Sequence, residues 1–418
     1  MKSTTVVSNK GLIKLLFINI LFFYPIIIDY KYSDLQNIII GILMVISFFM
    51  LLNLLRNAKL SNEILCIAAF EFILFLTSLI NFNLMSGYDF LIYTKYMIFT
   101  LGFVAFIEGF LKRRPRLFLK SIILVLTVLI IINFLLLIRY PNGLYQASNN
   151  YSIYEYSFNI DNAIHFLGHR NNVVMYLFPN LFCSFLYYKI YGMKNLKIIF
   201  IFLIVFIESI MIKSATCLVG CLLFTGYVML FETKKRNNLE RVISKIINIK
   251  NVLIITLTLY IFVVVFRFQE VFSYLLIDLL QRDINLTGRT TIWDMAFQLI
   301  MESPVWGYGT HNSGAIIFSS YKEWYAHNFI LDILLQGGVL ALIPFISYLG
   351  IIAKKMSVRR NEVGNRICTW AIFVILIISM TESYIHYFGF WLVFIVAYNY
   401  ENILNSKNIT EKSNFNII

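Results

Sequence analysis

Residues 117–138 read LFLKSIILVLTVLIIINFLLLI, with Lys112, Arg113, Arg114 and Arg116 before them and Arg139 after them. A helix rises 1.5 Å per residue, so about 20 apolar residues cross the hydrocarbon core of a bilayer. This stretch meets that length with one interior lysine close to its basic end. Working outward, comparable runs fall at about 11–30, 36–55, 63–81, 91–111, 172–191, 197–212, 215–232, 251–268, 329–352, 367–383 and 386–403. The pattern predicts an all-α polytopic membrane protein of about 12 transmembrane helices, with residues 1–418 as one integral membrane domain. The pair around Lys213 is short enough to form a re-entrant hairpin instead of two spans.

Composition points the same way. Of 418 residues, 59% are hydrophobic and only 14% charged, where a soluble globule carries roughly 25% charged residues. A soluble enzyme, a disordered chain and a nucleic-acid-binding module are all excluded. The net charge of +13 therefore reads as the positive-inside bias of cytoplasmic loops. With the N-terminus inside, 25 of the 35 basic residues fall on cytoplasmic segments and 9 on outer ones. Both termini are then expected in the cytoplasm. Lys2, Lys10 and Lys14 precede the first apolar run without a small-residue cleavage site, as in an uncleaved first span. Cys66, Cys183, Cys217, Cys221 and Cys368 all lie within apolar runs and read as small buried hydrophobes rather than disulfides or metal ligands.

Two outer segments exceed the length of simple connectors. One covers about 139–171. The other, about 269–328, is the large extracytoplasmic loop between spans 9 and 10. Both are rich in aromatics: Tyr140, Tyr145, Tyr151, Tyr154 and Tyr156 in the first, and Trp293, Trp306, Tyr308, Tyr321, Trp324 and Tyr325 in the second. Such residues anchor a chain at the lipid–water boundary or stack on sugar rings, and composition does not separate the two uses.

The chain contains no GxxxxGK[ST] loop, no GxGxxG after a strand and no DxD cluster. Nucleotide-driven transport and a carboxylate-held cation are not suggested, and no cofactor is expected. Basic and imidazole groups on the outer segments are the informative set. His165-Phe-Leu-Gly-His169-Arg170-Asn171-Asn172 precedes a span. Thr287-Gly-Arg289-Thr290-Thr-Ile-Trp293 opens a helix expected to run to about Met301 and to stop before Ser303-Pro304, with Thr287 or Thr290 as its cap. Trp306-Gly307-Tyr308-Gly309 allows a tight turn whose N–H groups could cradle an anion. His311 follows this turn as a hydrogen-bonding residue. Tyr325-Ala-His327-Asn328 sits at the outer start of a span containing Gly337-Gly338, a pair that admits a close helix neighbour.

Arg139 and Arg282 fit simple snorkelling to the headgroups. Arg170, Arg289 and Lys213-Ser214 instead could form an outward cationic site for a diphosphate, which arginine's planar fork suits. His327 is the candidate general base, since an imidazole accepts a proton near neutral pH. Asp332, five residues on, does not share its helical face, which argues against an acyltransferase pair. Glu382, near His386 at an outer helix end, is expected to pair with it or to position an acceptor, and is kept out of the catalytic set.

The order Gly288-Arg289-x3-Trp293, Pro304-x2-Gly307-Tyr308-Gly309, His327-Asn328 and then a Gly-Gly pair resembles the O-antigen ligase and polymerase superfamily. Within it, the repeat-unit polymerases of capsule and O-antigen synthesis are the most similar. His169-Arg170-Asn171 and Ser214-x-Thr216 resemble further segments of that family, and the likeness covers about residues 165–345. The resemblance implies a metal-independent glycosyltransferase acting on polyprenyl-diphosphate-linked oligosaccharides at the outer face of the cytoplasmic membrane. His327, Arg289 and Arg170 would be catalytic, with Arg267 as a possible substitute for Arg170. Lys213, Ser214, Trp293, Gly307, Gly309 and Asn328 would bind substrate. Membrane lipid, a flippase and a chain-length regulator are the implied partners. A ligase of the same superfamily would use the same residues on a different acceptor. A lipid-linked oligosaccharide flippase is the alternative from another class; it predicts charges along an interior path rather than converging on an outer cleft.

Overall fold

The computed structural model describes residues 2–28, 32–57, 61–84, 87–146, 163–232, 247–268, 289–310 and 326–415. Among them the helices are α1 (Lys2–Phe22), α2 (Ser33–Asn57), α3 (Asn62–Ile80), α4 (Gly87–Arg113), α5 (Pro115–Arg139), α6 (Val174–Tyr191) and α7 (Asn195–Met211). They continue as α8 (Ala215–Tyr227), α9 (Ile249–Tyr260), α10 (Arg289–Glu302), α11 (Phe329–Ser357), α12 (Val363–Ile378), α13 (Phe388–Tyr398) and α14 (Tyr400–Phe415). α8 and α9 each end in a π-helical turn, Val228–Glu232 and Ile261–Val265. The chain is an all-α polytopic membrane protein.

Each of the twelve apolar runs forms a helix. Among the described residues, six segments are long and apolar enough to cross a membrane: Ser33–Leu54, Asn62–Ile80, Tyr93–Arg113, Pro115–Arg139, Ala215–Glu232 and Phe329–Ser357. Some of the others are shorter than the sequence suggests. α13 has 11 residues, about 16 Å of helix, and residues Gly389–Ala397 are buried throughout. α6 is buried continuously from Val174 to Tyr187. Helices apolar on every side belong inside a bundle, and these two form its centre, with α5, α8, α12 and α13 packed around α6.

Three departures from the sequence reading shape the segments between the helices. A small antiparallel sheet, β1 (Tyr145–Gln146), β2 (Ala163–His165) and β3 (Gly168–His169), precedes α6, with Ile164 opposite both Tyr145 and His169. α12 ends at Ile378 rather than near 383. Ser379, Thr381, Glu382 and Ser383 follow, and the chain turns there instead of continuing the span. Lastly, the Gly337-Gly338 pair divides: Gly337 admits α3 as a close neighbour, a Cβ there lying 2.8 Å from Leu74 Cδ2, whereas Gly338 receives no helix. Gly338 has φ 58° and ψ −161°, breaking α11, and a Cβ there would lie 2.1 Å from the carbonyl oxygen of Val305. The chain after α10 fills this break.

α10 begins at Arg289 and ends before Ser303-Pro304 as expected. Thr290 lies inside the helix and is buried, so it is not the cap, and Thr287 lies outside the described residues. A small apolar cluster of Tyr260, Ile292, Trp293, Ala296, Ala326, Leu331, Leu335 and Met380 holds α10 against the end of α9 and the start of α11. Of the large loop, 269–288 and 311–325 lie outside the described residues. Gly288, His311, Arg282 and the aromatics Tyr151, Tyr154, Tyr156, Tyr321, Trp324 and Tyr325 fall outside them too.

Candidate functional site

His327 stands immediately before α11 with φ 49°, in the left-handed region that a non-glycine residue occupies only when its surroundings impose it. Those surroundings are explicit. On one side, Ala326 donates its N–H to Asp332 Oδ1 at 2.9 Å and accepts the Trp293 indole N–H at 3.1 Å on its carbonyl. On the other, Asn328 caps α11 by accepting from the N–H groups of Ile330 and Leu331, both at 3.1 Å. The same Oδ1 accepts the Tyr260 hydroxyl at 2.7 Å, and Nδ2 donates to the Met380 carbonyl at 2.9 Å. Every polar atom of the Asn328 side chain is thus committed within the fold.

The constrained imidazole meets a carboxylate that the sequence reading left aside. His327 Nδ1 lies 3.1 Å from Glu382 Oε1. Arg289 Nη2 and Asn171 Nδ2 donate to Glu382 Oε2 at 3.5 and 3.0 Å. Ser214 donates to Asn171 Oδ1 at 3.0 Å and caps α8 through Cys217 N–H. Tyr384 donates to the Asn171 carbonyl at 3.0 Å. Its hydroxyl pKa is pushed well up, first by burial and then by the charge of Glu382, so it remains a donor. Glu382 is 1% exposed, whereas Arg289 and His327 are 15% and 18% exposed. A carboxylate closed off from water therefore holds two partners whose edges reach the surface. Arg289 Nε is buried without a hydrogen-bond partner.

Five segments thus converge: the start of α6, the α7–α8 turn, the start of α10, the start of α11 and the α12–α13 loop. Arg170 belongs to the first, and its carbonyl lies 3.5 Å from Cys217 Sγ. Lys213, at the tip of the α7–α8 turn, is exposed with φ 56°. Arg267 is paired with Asp294 of α10.

Other expected binding residues have work elsewhere. Trp293 is 0% exposed and holds Ala326, so it offers no face to a sugar. Asn328 is equally enclosed. The glycine turn presents no free anion cradle, because its N–H groups are spent. Gly307 donates to Ser303 at 3.1 Å, Tyr308 to Leu335 at 2.7 Å and Gly309 to Gln336 at 2.9 Å. Thr310 N–H donates to Ser78 Oγ at 2.9 Å. Val339 and Leu340 answer with bonds to Pro304 and Val305. Gly307 and Gly309, both at positive φ, stitch the post-α10 chain into the α11 break, where a Gly307 Cβ would come within 2.5 Å of the Leu335 carbonyl oxygen.

Residues 196–346 match the family model described as O-antigen ligase. The match supports the O-antigen ligase and polymerase superfamily. It covers less than half of the chain, and no curated protein matches. The matched region contains Ser214, Arg289 and His327. The carboxylate and amide that join them, Glu382 and Asn171, come from outside it on opposite sides. This family supports membrane glycosyl transfer as the general activity, in a membrane-embedded protein. Among the described residues no cluster of His, Cys, Asp and Glu could hold a metal ion.

Proposed function

We propose that the chain is a polysaccharide repeat-unit polymerase. It transfers a glycan from a polyprenyl diphosphate onto a sugar hydroxyl of a lipid-linked repeat unit, at the outer face of the cytoplasmic membrane. The observation that carries this reading is the convergence of His327, Arg289 and Asn171 on the buried Glu382. With Nδ1–H donated to Glu382, the Nε2 lone pair of His327 faces the acceptor. The acceptor oxygen attacks the anomeric carbon and its proton passes to Nε2. The bond from that carbon to the diphosphate oxygen breaks, and the electron pair leaves on the diphosphate. Arg289, through the part of its side chain that reaches the surface, and Arg170 stabilise that growing charge. Ser214 keeps Asn171 in place, and exposed Lys213 attracts the anionic lipid head. Gly307, Gly309, Trp293 and Asn328 are assigned to support of the site.

The charge bias of the loops supports an outward site with both termini in the cytoplasm. A flippase that delivers the repeat unit and a chain-length regulator remain the proposed partners. Convergence on one cluster favours transfer over transport. The description of the matched family favours a second reading, a ligase that uses the same residues on a different acceptor. The test is His327→Ala in the cells that carry this chain, with surface polysaccharide sized and membrane abundance checked. We expect normal abundance with single repeat units and no long chains. A ligase would instead leave long chains unattached to their final acceptor. Persistence of long, attached polymer overturns both.

A further inference from the structure

At the end of the bundle where α2 and α4 terminate lies a cavity of about 540 Å³. Its walls are apolar, formed by Met50, Leu54, Phe106 and Phe110. Its rim carries Lys112, Arg113 and Arg114, all three exposed. One carboxylate, Glu108, also lines it, but Glu108 is buried and paired with Lys112. With Lys112 spent on Glu108, Arg113 and Arg114 are left as two uncompensated cations. Gly109 sits in the wall, and a Cβ there would meet nothing within 4 Å, so the helix surface at that point opens onto empty space.

An apolar chamber under a basic rim matches a molecule with a phosphate at one end and hydrocarbon at the other. We propose that this cavity binds an anionic phospholipid, its phosphate on Arg113 and Arg114 and the first part of its acyl chains against Leu54 and Phe110. Basic pockets between membrane helices hold lipid headgroups through such charge, each cation near the surface contributing about 1 kcal/mol, or about fivefold in affinity. Last-turn lysines and arginines also complement a helix dipole, but that role requires no cavity and gives Gly109 no part. The site lies on elements that do not contribute to the Glu382 cluster.

The experiment is native mass spectrometry of the full-length protein in a neutral detergent, titrated with phosphatidylglycerol, with phosphatidylcholine of the same chains, or with inorganic phosphate. Phosphatidylglycerol adducts should survive at concentrations where phosphatidylcholine adducts do not. The double variant Arg113→Gln, Arg114→Gln should weaken them about 30-fold. Gly109→Leu keeps every charge, narrows the chamber and should weaken them as well, and thermal melting confirms that each variant is folded. Equal retention of both lipids overturns the proposal, as does unchanged binding in both folded variants. Phosphate that displaces phosphatidylglycerol, with Gly109→Leu silent, would mark a surface anion site and also overturn it.

Discussion

Glu232 and Glu382 are both 1% exposed at the side chain, and each faces an arginine, yet the two clusters are built to different ends. Glu232 receives Arg366 on both oxygens, Nε at 2.8 Å and Nη2 at 2.9 Å, while Nη1 donates to the Asn361 carbonyl at 2.9 Å. Tyr227 adds a further donor at 2.9 Å. That arginine is itself only 2% exposed. Every nitrogen of its guanidinium is engaged and no edge reaches solvent. Around Glu382 the arginine contact is single and long, a backbone-strained histidine takes the other oxygen, and both partners are partly exposed. Burial of a charge pair therefore does not mark function by itself. What distinguishes the proposed site is that both partners of its carboxylate keep an edge at the surface.

The largest effects should separate the two glutamates by what they damage. Glu382→Gln removes the charge that orients His327 and supports an imidazolium, so transfer should fall by about 10²–10⁴-fold at near-normal membrane abundance. Loss of abundance without loss of turnover per molecule would reverse the assignment. Glu232→Gln should do the opposite. It leaves Arg366 buried with an uncompensated charge, a loss of about 3–5 kcal/mol, seen as a lowered melting transition. The surviving molecules should retain their turnover.

The comparison also explains what could be read from residue order. The helices were legible because each apolar run is long, and the bounds of α10 because Ser303-Pro304 ends it. His327 and Arg289 stood out as polar groups beside glycines and aromatics on an outer segment. Glu382 reads from residue order as a partner of the nearby His386 or as an acceptor-positioning group, because nothing local ties it to His327, 55 positions away. Four polar residues among Ser379–Ser383 were the available signal. The link to Asn171 spans 211 positions and has no local trace. Gly307 and Gly309 misled for a related reason. Their turn geometry is real, but its donors are consumed by a break in α11 that Gly337-Gly338 permits and local sequence does not reveal.

A buried titratable group outside both clusters sharpens the distinction by pH. His165 in β2 is 4% exposed, and its pKa is lowered to about 4, first by burial and then by the charge of His169. Between the ordinary imidazole value near 6.5 and 4 the unfolded chain binds a proton that the folded chain refuses. Stability is thus full above that window and lost as pH falls through it, by up to about 3 kcal/mol. Melting followed from pH 7 to 4 should show that slope, and His165→Gln should flatten it. An identical slope in the variant would place the acid sensitivity elsewhere.

The smallest effect belongs to an arginine with two carboxylates in partial exposure. Arg359 donates to Glu362 at 2.9 Å and Glu401 at 3.1 Å, distances as good as those at Arg366, with side chains 31%, 34% and 47% exposed. If contact distance set the energy, Arg359→Gln would resemble the loss of the Glu232–Arg366 pair. Water and salt screen such pairs, and fixing three flexible side chains costs entropy, so the expected change is below about 1 kcal/mol and should shrink further as salt is raised. A loss of several kcal/mol on melting would show that geometry outweighs solvent exposure in this protein. It would then remove the ground for treating the exposed edges of His327 and Arg289 as the feature that separates a working site from a structural one.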